Sequence, residues 1–273
     1  MNKKDITNFQ DIVWDFYKKN KRDLPWRPKR GRIVSPYQIL VSEFMLQQTQ
    51  VDRVVPKFLA FIERFSDMQS LEKASVKDVL RMWSGLGYNR RALYLKESVK
   101  LILSEYQTII PKESSLLKTL PGVGAYMSKI LPVFIYNKKE TLIETNIRTV
   151  YLYHFFKNKE SVSDKEIIKI IENTLPNKYF REWYYALMDY GSYLKKEKKI
   201  KNTQSTSYIK QKPFKSSLRY VRGQILKRLL VKKIKKEEVY DLFPEYTSKQ
   251  VETVCNSLLK ESLIQENRNY FFL

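Results

Sequence analysis

At 273 residues, 43% hydrophobic and 14% aromatic, the chain has the length for one large or two moderate domains and the apolar content to fill their cores, which excludes a disordered tail. Its formal net charge of +22 and pI near 9.8 call for a polyanionic partner, nucleic acid by default, although an Ile/Lys/Asn/Tyr bias accounts for part of the excess. A single cysteine, Cys255, excludes an intramolecular disulfide and any multi-cysteine metal or iron–sulfur site built from this chain; no apolar run reaches membrane-span length and Met1–Asp5 lacks a signal-peptide core, so an intracellular protein is expected.

The first helical pattern runs from Asn8 to Asn20 with Phe9, Ile12, Val13, Phe16 and Tyr17 on one face. A basic, proline-containing loop follows through Trp26, Arg27 and Arg32. Ser35 then caps a long helix with Pro36 at its first position, whose buried set is Tyr37, Ile39, Leu40, Phe44 and Met45. Glu43 falls among them. Buried, it would have the raised pKa of a general acid; on a solvent face it would do nothing. Gln47-Gln48-Thr49-Gln50 is polar for a helix end beside a core, and its amides suit base edges, a wedge into a stack, or simple capping.

Helices are expected at Val54–Phe65 and Val76–Trp83. The turn Ser84-Gly85-Leu86-Gly87-Tyr88-Asn89-Arg90-Arg91 then presents an aromatic beside two arginines, a wedge and phosphate clamp for nucleic acid or just a closed helix corner. After helices at Ala92–Tyr106 and Glu113–Leu120 comes Leu120-Pro121-Gly122-Val123-Gly124-Ala125-Tyr126, where two glycines are expected to supply positive φ before an apolar helix from Ala125 to Tyr136. Amides at that helix start make a phosphate site, the alternative being a packing corner. Glu144, just before the next helix, is placed to point back toward the hairpin's second helix, with Thr145 or Asn146 as cap. His154, among aromatics, reads as a packed residue without chemistry. Helices at Asp164–Thr174 and Phe180–Lys195 complete an all-α body.

Residues 195–236 hold 16 Lys/Arg and one acid, Glu197, which marks a basic linker running into a second domain. Helices at Leu218–Leu230, Lys236–Phe243 and Thr247–Glu261, then two strand-like runs in 263–273, read as a winged helix.

Residues 24–200 resemble the helix-hairpin-helix (HhH-GPD) DNA glycosylases, and within them the MutY-type adenine glycosylases. The resemblance is carried by Leu24-Pro25-Trp26-Arg27, Ser42 to Val51, Trp83 to Tyr88, Leu120 to Gly124, Asn146 to Val150 and Met188-Asp189-Tyr190-Gly191, in order and spacing. It implies a mainly α, two-lobed glycosylase fold at 1–200, with a six-helix barrel lobe at about 33–140 and a second lobe from 1–32 and 141–200. A basic linker at 201–216 and a small winged-helix-like domain at 217–273 follow. It implies a base-excision repair enzyme that removes adenine mispaired with 8-oxoguanine, monofunctional because Tyr126 stands where bifunctional relatives keep a lysine nucleophile.

Carried over from the resemblance, Glu43 is the acid, with Glu144, Asn146 and Tyr126 at the sugar. Trp26, Arg27, Leu46, Gln47, Gln48, Val51, Tyr88 and Tyr185 form the base pocket and strand wedge. Gly122, Val123, Gly124, Arg90 and Arg91 bind phosphate. Departures from the family are Glu144 in place of its aspartate, Tyr185 in place of a Glu or Gln, and no cysteines for an iron–sulfur cluster, near whose positions stand Lys195, Asn202, Ser205 and Gln211. No cofactor is expected beyond a structural cation at the hairpin. The expected partner is double-stranded DNA with a mispaired or oxidised base, bound by a monomer, cytoplasmic and nucleoid-associated. Removal of mispaired thymine or uracil, and non-catalytic DNA binding, remain the alternatives.

Overall fold

The structure is a computed structural model that describes residues 2–209 and 217–273. Among them the helices are α1 (Lys3–Asn20), α2 (Pro36–Leu46), α3 (Val51–Arg64), α4 (Met68–Lys73), α5 (Val76–Trp83), α6 (Arg90–Glu105), α7 (Ser114–Leu117), α8 (Met127–Tyr136), α9 (Thr145–Phe155), α10 (Asp164–Thr174) and α11 (Phe180–Glu197). The C-terminal part adds α12 (Leu218–Leu229), β1 (Ile234–Lys235), α13 (Glu238–Asp241), α14 (Ser248–Lys260), β2 (Gln265–Glu266) and β3 (Tyr270–Phe272). The chain is mainly helical, as its patterning requires. Side-chain caps start several helices where the sequence places them: Ser35 bonds reciprocally with Gln38, Ser163 with Glu166 and Thr247 with Gln250.

The described residues fall into two compact units. One comprises 2–39, 110–119 and 123–209. Its core is α9 laid along α11, with α1 packed on α11 and α10 on α9. Close approach is possible because Gly191 of α11 faces the Asn146 carbonyl of α9, where a Cβ would collide with backbone. An aromatic cluster of Phe9, Trp14, Tyr151, Phe155 and Trp183 fills the space between these helices.

The other unit comprises 40–109, 120–122 and 217–273. There α4 packs on α6, α5 on both α3 and α6, and Phe58, Phe61, Trp83, Leu95 and Ile102 are buried between them. The C-terminal segment contributes α12 against α14 and an antiparallel sheet of order β1-β3-β2, with Ile234 opposite Phe271 and Gln265 opposite Phe272. Its elements run helix, strand, two helices and a hairpin, where the sequence pattern has three helices and two strand-like runs; β1 is the added element.

The expected lobes at about 33–140 and at 1–32 with 141–200 follow sequence continuity, whereas compactness groups 110–119 and 123–140 with the N-terminal helices and 217–273 with 40–109. Of the expected linker at 201–216, residues 210–216 lie outside the described ones, as does Gln211. The remainder, 201–209, is packed: Val162 pairs with Ser205, and Asn202 and Ser205 are buried.

Candidate active site and nucleic-acid interface

Helix α2 is apolar on every side, and Ile39 to Met45 are buried without interruption. A helix buried all round has no solvent face to offer. Glu43 is therefore 5% exposed, and the idle surface alternative for it is excluded. At the end of α2, Gln47 donates its side-chain amide to the Gly122 carbonyl at 3.2 Å, tying the helix to the hairpin. Gly122 has φ of 75°, and a Cβ there would stand 2.8 Å from Tyr94 Cβ and 2.9 Å from Phe44 Cε1, so only glycine fits. Ser98 Oγ donates to the Pro121 carbonyl at 2.8 Å and fixes the turn further.

The expectation of positive φ at both hairpin glycines needs correction. Gly124 does not have it and a Cβ there would meet nothing, so its contribution is a bare, exposed backbone rather than a special conformation. Val123 is buried and anchors the loop. The helix that follows, α8, begins at Met127; its N-cap Tyr126 makes no side-chain cap, and the Ser128 and Lys129 amides donate to the Gly124 and Tyr126 carbonyls at 3.0 and 3.1 Å.

Gln48 and Tyr88, the expected wedges, are exposed and both left-handed, with φ of 55° and 48°. Leu46 and Val51, beside Gln48, are half-buried. Arg90 is exposed at the start of α6. Arg91 is different. It is 6% exposed, and its guanidinium donates to the Phe44 and Met45 carbonyls at 2.7 and 2.9 Å, to Thr49 Oγ1 at 2.9 Å and to the Gly87 carbonyl at 2.9 Å. Burial pulls its pKa down to about 10, still far above neutrality. Arg91 is thus no phosphate ligand: it is spent on the carbonyls that end α2 and on the Tyr88 turn.

Three pocket candidates gather in the unit of the N-terminal helices. Trp26 is buried; the Arg27 guanidinium lies 4.3 Å from the Tyr185 ring centroid, and that ring packs on Phe134 at 4.5 Å. Arg27 is locked in a bidentate ion pair with Asp189 at 2.8 and 2.9 Å, and Arg22 binds the same carboxylate at 2.6 Å. Both terminal nitrogens of that guanidinium are engaged, Nη1 also reaching the Arg22 carbonyl at 3.3 Å, while its buried Nε has no acceptor. Both Arg27 and Tyr185 are buried, and their contacts are with each other and with the core.

Glu144 is the N-cap of α9. Its Oε1 accepts from the Asn146 and Ile147 amides at 2.7 and 2.8 Å, and Oε2 accepts from the Asn146 side chain at 3.3 Å. The cap expected at Thr145 or Asn146 is therefore Glu144 itself, and its carboxylate folds onto the first turn of its own helix. Lys195 adds a cation beside it: burial lowers the lysine's pKa, and the Glu144 charge opposes that shift.

A profile of the HhH-GPD superfamily base excision DNA repair proteins matches residues 41–177, half of the chain. The chain belongs to this family. An adenine DNA glycosylase of Mycolicibacterium smegmatis is 46% identical over 145 residues, covering 53% of the chain and 48% of that protein. One from Buchnera aphidicola subsp. Baizongia pistaciae is 30% identical over 185 residues, 67% and 52% of the two chains. The HhH-GPD chain thus spans about half the length of the curated relatives it matches. Among solved structures, a thermostable thymine-DNA glycosylase superposes with TM-score 0.59 at 23% identity, over 69% of this chain and 87% of that one, and a non-covalent endonuclease III–DNA complex with TM-score 0.57 at 14%, over 71% and 86%. These two share the fold.

An iron–sulfur cluster, implied by the wider resemblance, does not fit this HhH-GPD chain, because a cluster needs four thiolates and the sequence holds one, Cys255, far along the chain. At the corresponding positions Asn202 donates to the Thr145 carbonyl at 2.9 Å and accepts from Thr149 Oγ1 at 2.8 Å, while the Ser205 amide donates to the Asn202 carbonyl at 2.9 Å. No group of three or more metal-ligating side chains occurs among the described residues. The sequence shows Asp189 only as part of a motif; its pairing with two arginines and the Asn202 bonds are not legible there, though an aspartate inside the apolar run of α11 with two arginines upstream is the available signal.

Proposed function

We propose that the chain is a base-excision repair glycosylase that hydrolyses the N-glycosidic bond of adenine mispaired with 8-oxoguanine. The observation that carries the reading is Glu43: a carboxyl group held inside an apolar helix whose end is tied through Gln47 to the hairpin. The named adenine DNA glycosylases among the relatives support the choice of base.

In this reading the duplex yields its adenine to a pocket walled by Trp26 and Tyr185, while Gln48 and Tyr88 fill the stack it leaves. Glu43 delivers a proton to purine N7, the bond from C1′ to N9 breaks, and its electron pair leaves with the neutral adenine. Positive charge on the sugar is offset by the Glu144 carboxylate. Water then adds to C1′, loses a proton and completes an abasic site. Tyr126 offers a phenol and no amine, so no Schiff base forms and the strand stays intact. The hairpin's exposed Gly124 backbone, at the positive end of α8, takes the phosphate, with Arg90 nearby in sequence to the Tyr88 wedge. The monomer binds its duplex without a cluster, the 198–208 segment being ordered by hydrogen bonds to α9, Val162 and Asp164.

The test is single-turnover excision from a panel of mispaired duplexes, with strand cleavage scored before and after hot alkali. Adenine opposite 8-oxoguanine is expected to be the best substrate, with strand breaks only after alkali. Glu43→Gln is expected to lower the rate at least about 10²-fold at nearly unchanged duplex affinity. Faster release of thymine or uracil would reassign the base, and tight binding without any release would leave a DNA-binding protein.

A further inference from the structure

Tyr88 stands on a turn that the chain fixes from beneath. Gly85, Gly87 and Tyr88 are all left-handed, with φ of 94°, 75° and 48°, a conformation an aromatic residue keeps only when its surroundings hold it. The Gly87 carbonyl accepts from Arg91 at 2.9 Å and from the Trp83 indole at 3.3 Å, the Leu86 carbonyl accepts from Thr49 Oγ1 at 3.3 Å, and Arg53 donates to the Gly85 carbonyl. The side chain itself is 42% exposed, with the Arg91 guanidinium 5.7 Å from its ring centroid. Its hydroxyl accepts from Arg219 Nη1 at 3.2 Å, across 131 residues of sequence.

Arg219 is not a loose surface arginine of a tethered module. It lies in α12, whose Val221, Ile225, Leu226 and Leu229 are buried in the C-terminal core. One turn further on, Arg222 pairs with both Glu261 oxygens at 3.0 and 2.5 Å and with Ser257 Oγ at 3.1 Å, which locks α12 to α14. Beside the contact, a cavity of about 280 Å³ is lined by Arg53, Gly85 and Asn89 on one side and Gln224, Lys227 and Leu273 on the other. The ring of Tyr88 is thus held at its base by Arg91 and at its tip by Arg219.

We propose that Arg219 is a positioning residue for Tyr88, which makes the C-terminal module part of the apparatus that opens the base stack. This rests on the reading of Tyr88 as the wedge. An unheld aromatic side chain must give up its rotamer freedom on entering DNA, and a hydrogen bond at the tip removes that cost in advance. A guanidinium brought in with the ring also meets the phosphates that flank the opened step, so one contact serves both orientation and charge.

The test uses the full chain and a duplex with 2-aminopurine beside the mispaired adenine, whose fluorescence rise on mixing reports unstacking independently of bond cleavage. Tyr88→Phe, which removes only the hydroxyl, and Arg219→Ala are each expected to slow unstacking about fivefold. The double variant is expected to be no slower than the slower single one, and Arg219→Lys to recover most of the rate. Losses that multiply to about 25-fold in the double variant, or an unchanged rate in Arg219→Ala, would overturn the inference by making Arg219 an independent phosphate contact or none. Coupled losses in unstacking with no base released from any mispair would sink the glycosylase reading and leave this one standing; release of adenine with multiplying losses would do the reverse.

Discussion

Asp189 has one carboxylate and two arginines to hold, and it is the residue on which the segment around Trp26 depends. It is 3% exposed, pairs with Arg22 and Arg27, and also accepts from the Arg22 backbone amide at 3.0 Å. Removing one partner of a buried pair leaves the other charge uncompensated, a loss of about 3–5 kcal/mol. Asp189→Ala is therefore expected to lose at least about 3 kcal/mol in urea unfolding; a loss under about 1 kcal/mol would show the clamp to be dispensable. His154 gives a pH signature. Its ring nitrogen bonds the Tyr190 hydroxyl at 3.0 Å, and burial, assisted by Lys157, lowers its pKa to about 4 from an ordinary 6.5. The unfolded chain protonates first as pH falls, so His154 costs stability progressively from about pH 6.5 down to about 4 and no further below. Replacing it by Gln is expected to flatten the wild-type slope over that window, and parallel curves for the two proteins would refute it. The packed role of His154 was readable from its aromatic neighbours. The burial of Arg27 and Arg91 was not, because an arginine in a basic sequence looks like surface until its acceptors, 162 residues away for Arg27 and carbonyls of another helix for Arg91, are in place.

At the scale of elements, what the sequence made legible was periodicity and caps. Helices α5 and α10 begin and end where the pattern puts them, because Ser75 and Ser163 cap them and their apolar residues recur on one face. Two elements escaped. Helix α4 has only six residues, under two turns, too few for a period to register; β1 has two residues inside a lysine-rich run and becomes a strand only through pairing with Tyr270 and Phe271. The hairpin is legible in the sequence, but the difference between its two glycines is not. They now make a contrasting pair. Gly122→Ala combines a left-handed φ with collisions against Tyr94 and Phe44, and is expected to destabilise by at least about 2 kcal/mol. Gly124→Ala is expected to change stability by under about 0.5 kcal/mol, since its Cβ would meet nothing, yet to weaken duplex binding severalfold by covering the exposed backbone proposed to meet phosphate. Thermal unfolding and a duplex titration on both variants check this. Equal losses of stability, or unimpaired binding by Gly124→Ala, would remove the hairpin from the interface.

For the whole molecule the dominant quantity is charge. A formal +22 on 273 residues destabilises a compact state by self-repulsion, and the described residues contain few ways to cancel it within the fold. Most of the ion pairs, such as Lys18–Asp15 and Lys29–Asp23, are exposed and contribute little. The excess is instead usable for binding a polyanion, where each phosphate neutralised releases a counterion. Six to ten phosphate contacts would give a slope of log affinity against log salt of about −5 to −9, and a loss of about 10³- to 10⁵-fold between 50 and 200 mM salt. Binding to an undamaged duplex is expected to follow this line. A mispaired duplex should give the same slope with a higher intercept, because base recognition adds contacts that displace no counterions. Equilibrium titrations at four salt concentrations on both duplexes decide it. A slope shallower than about −2 would mean that the lysine-rich surface reflects composition and not a DNA interface.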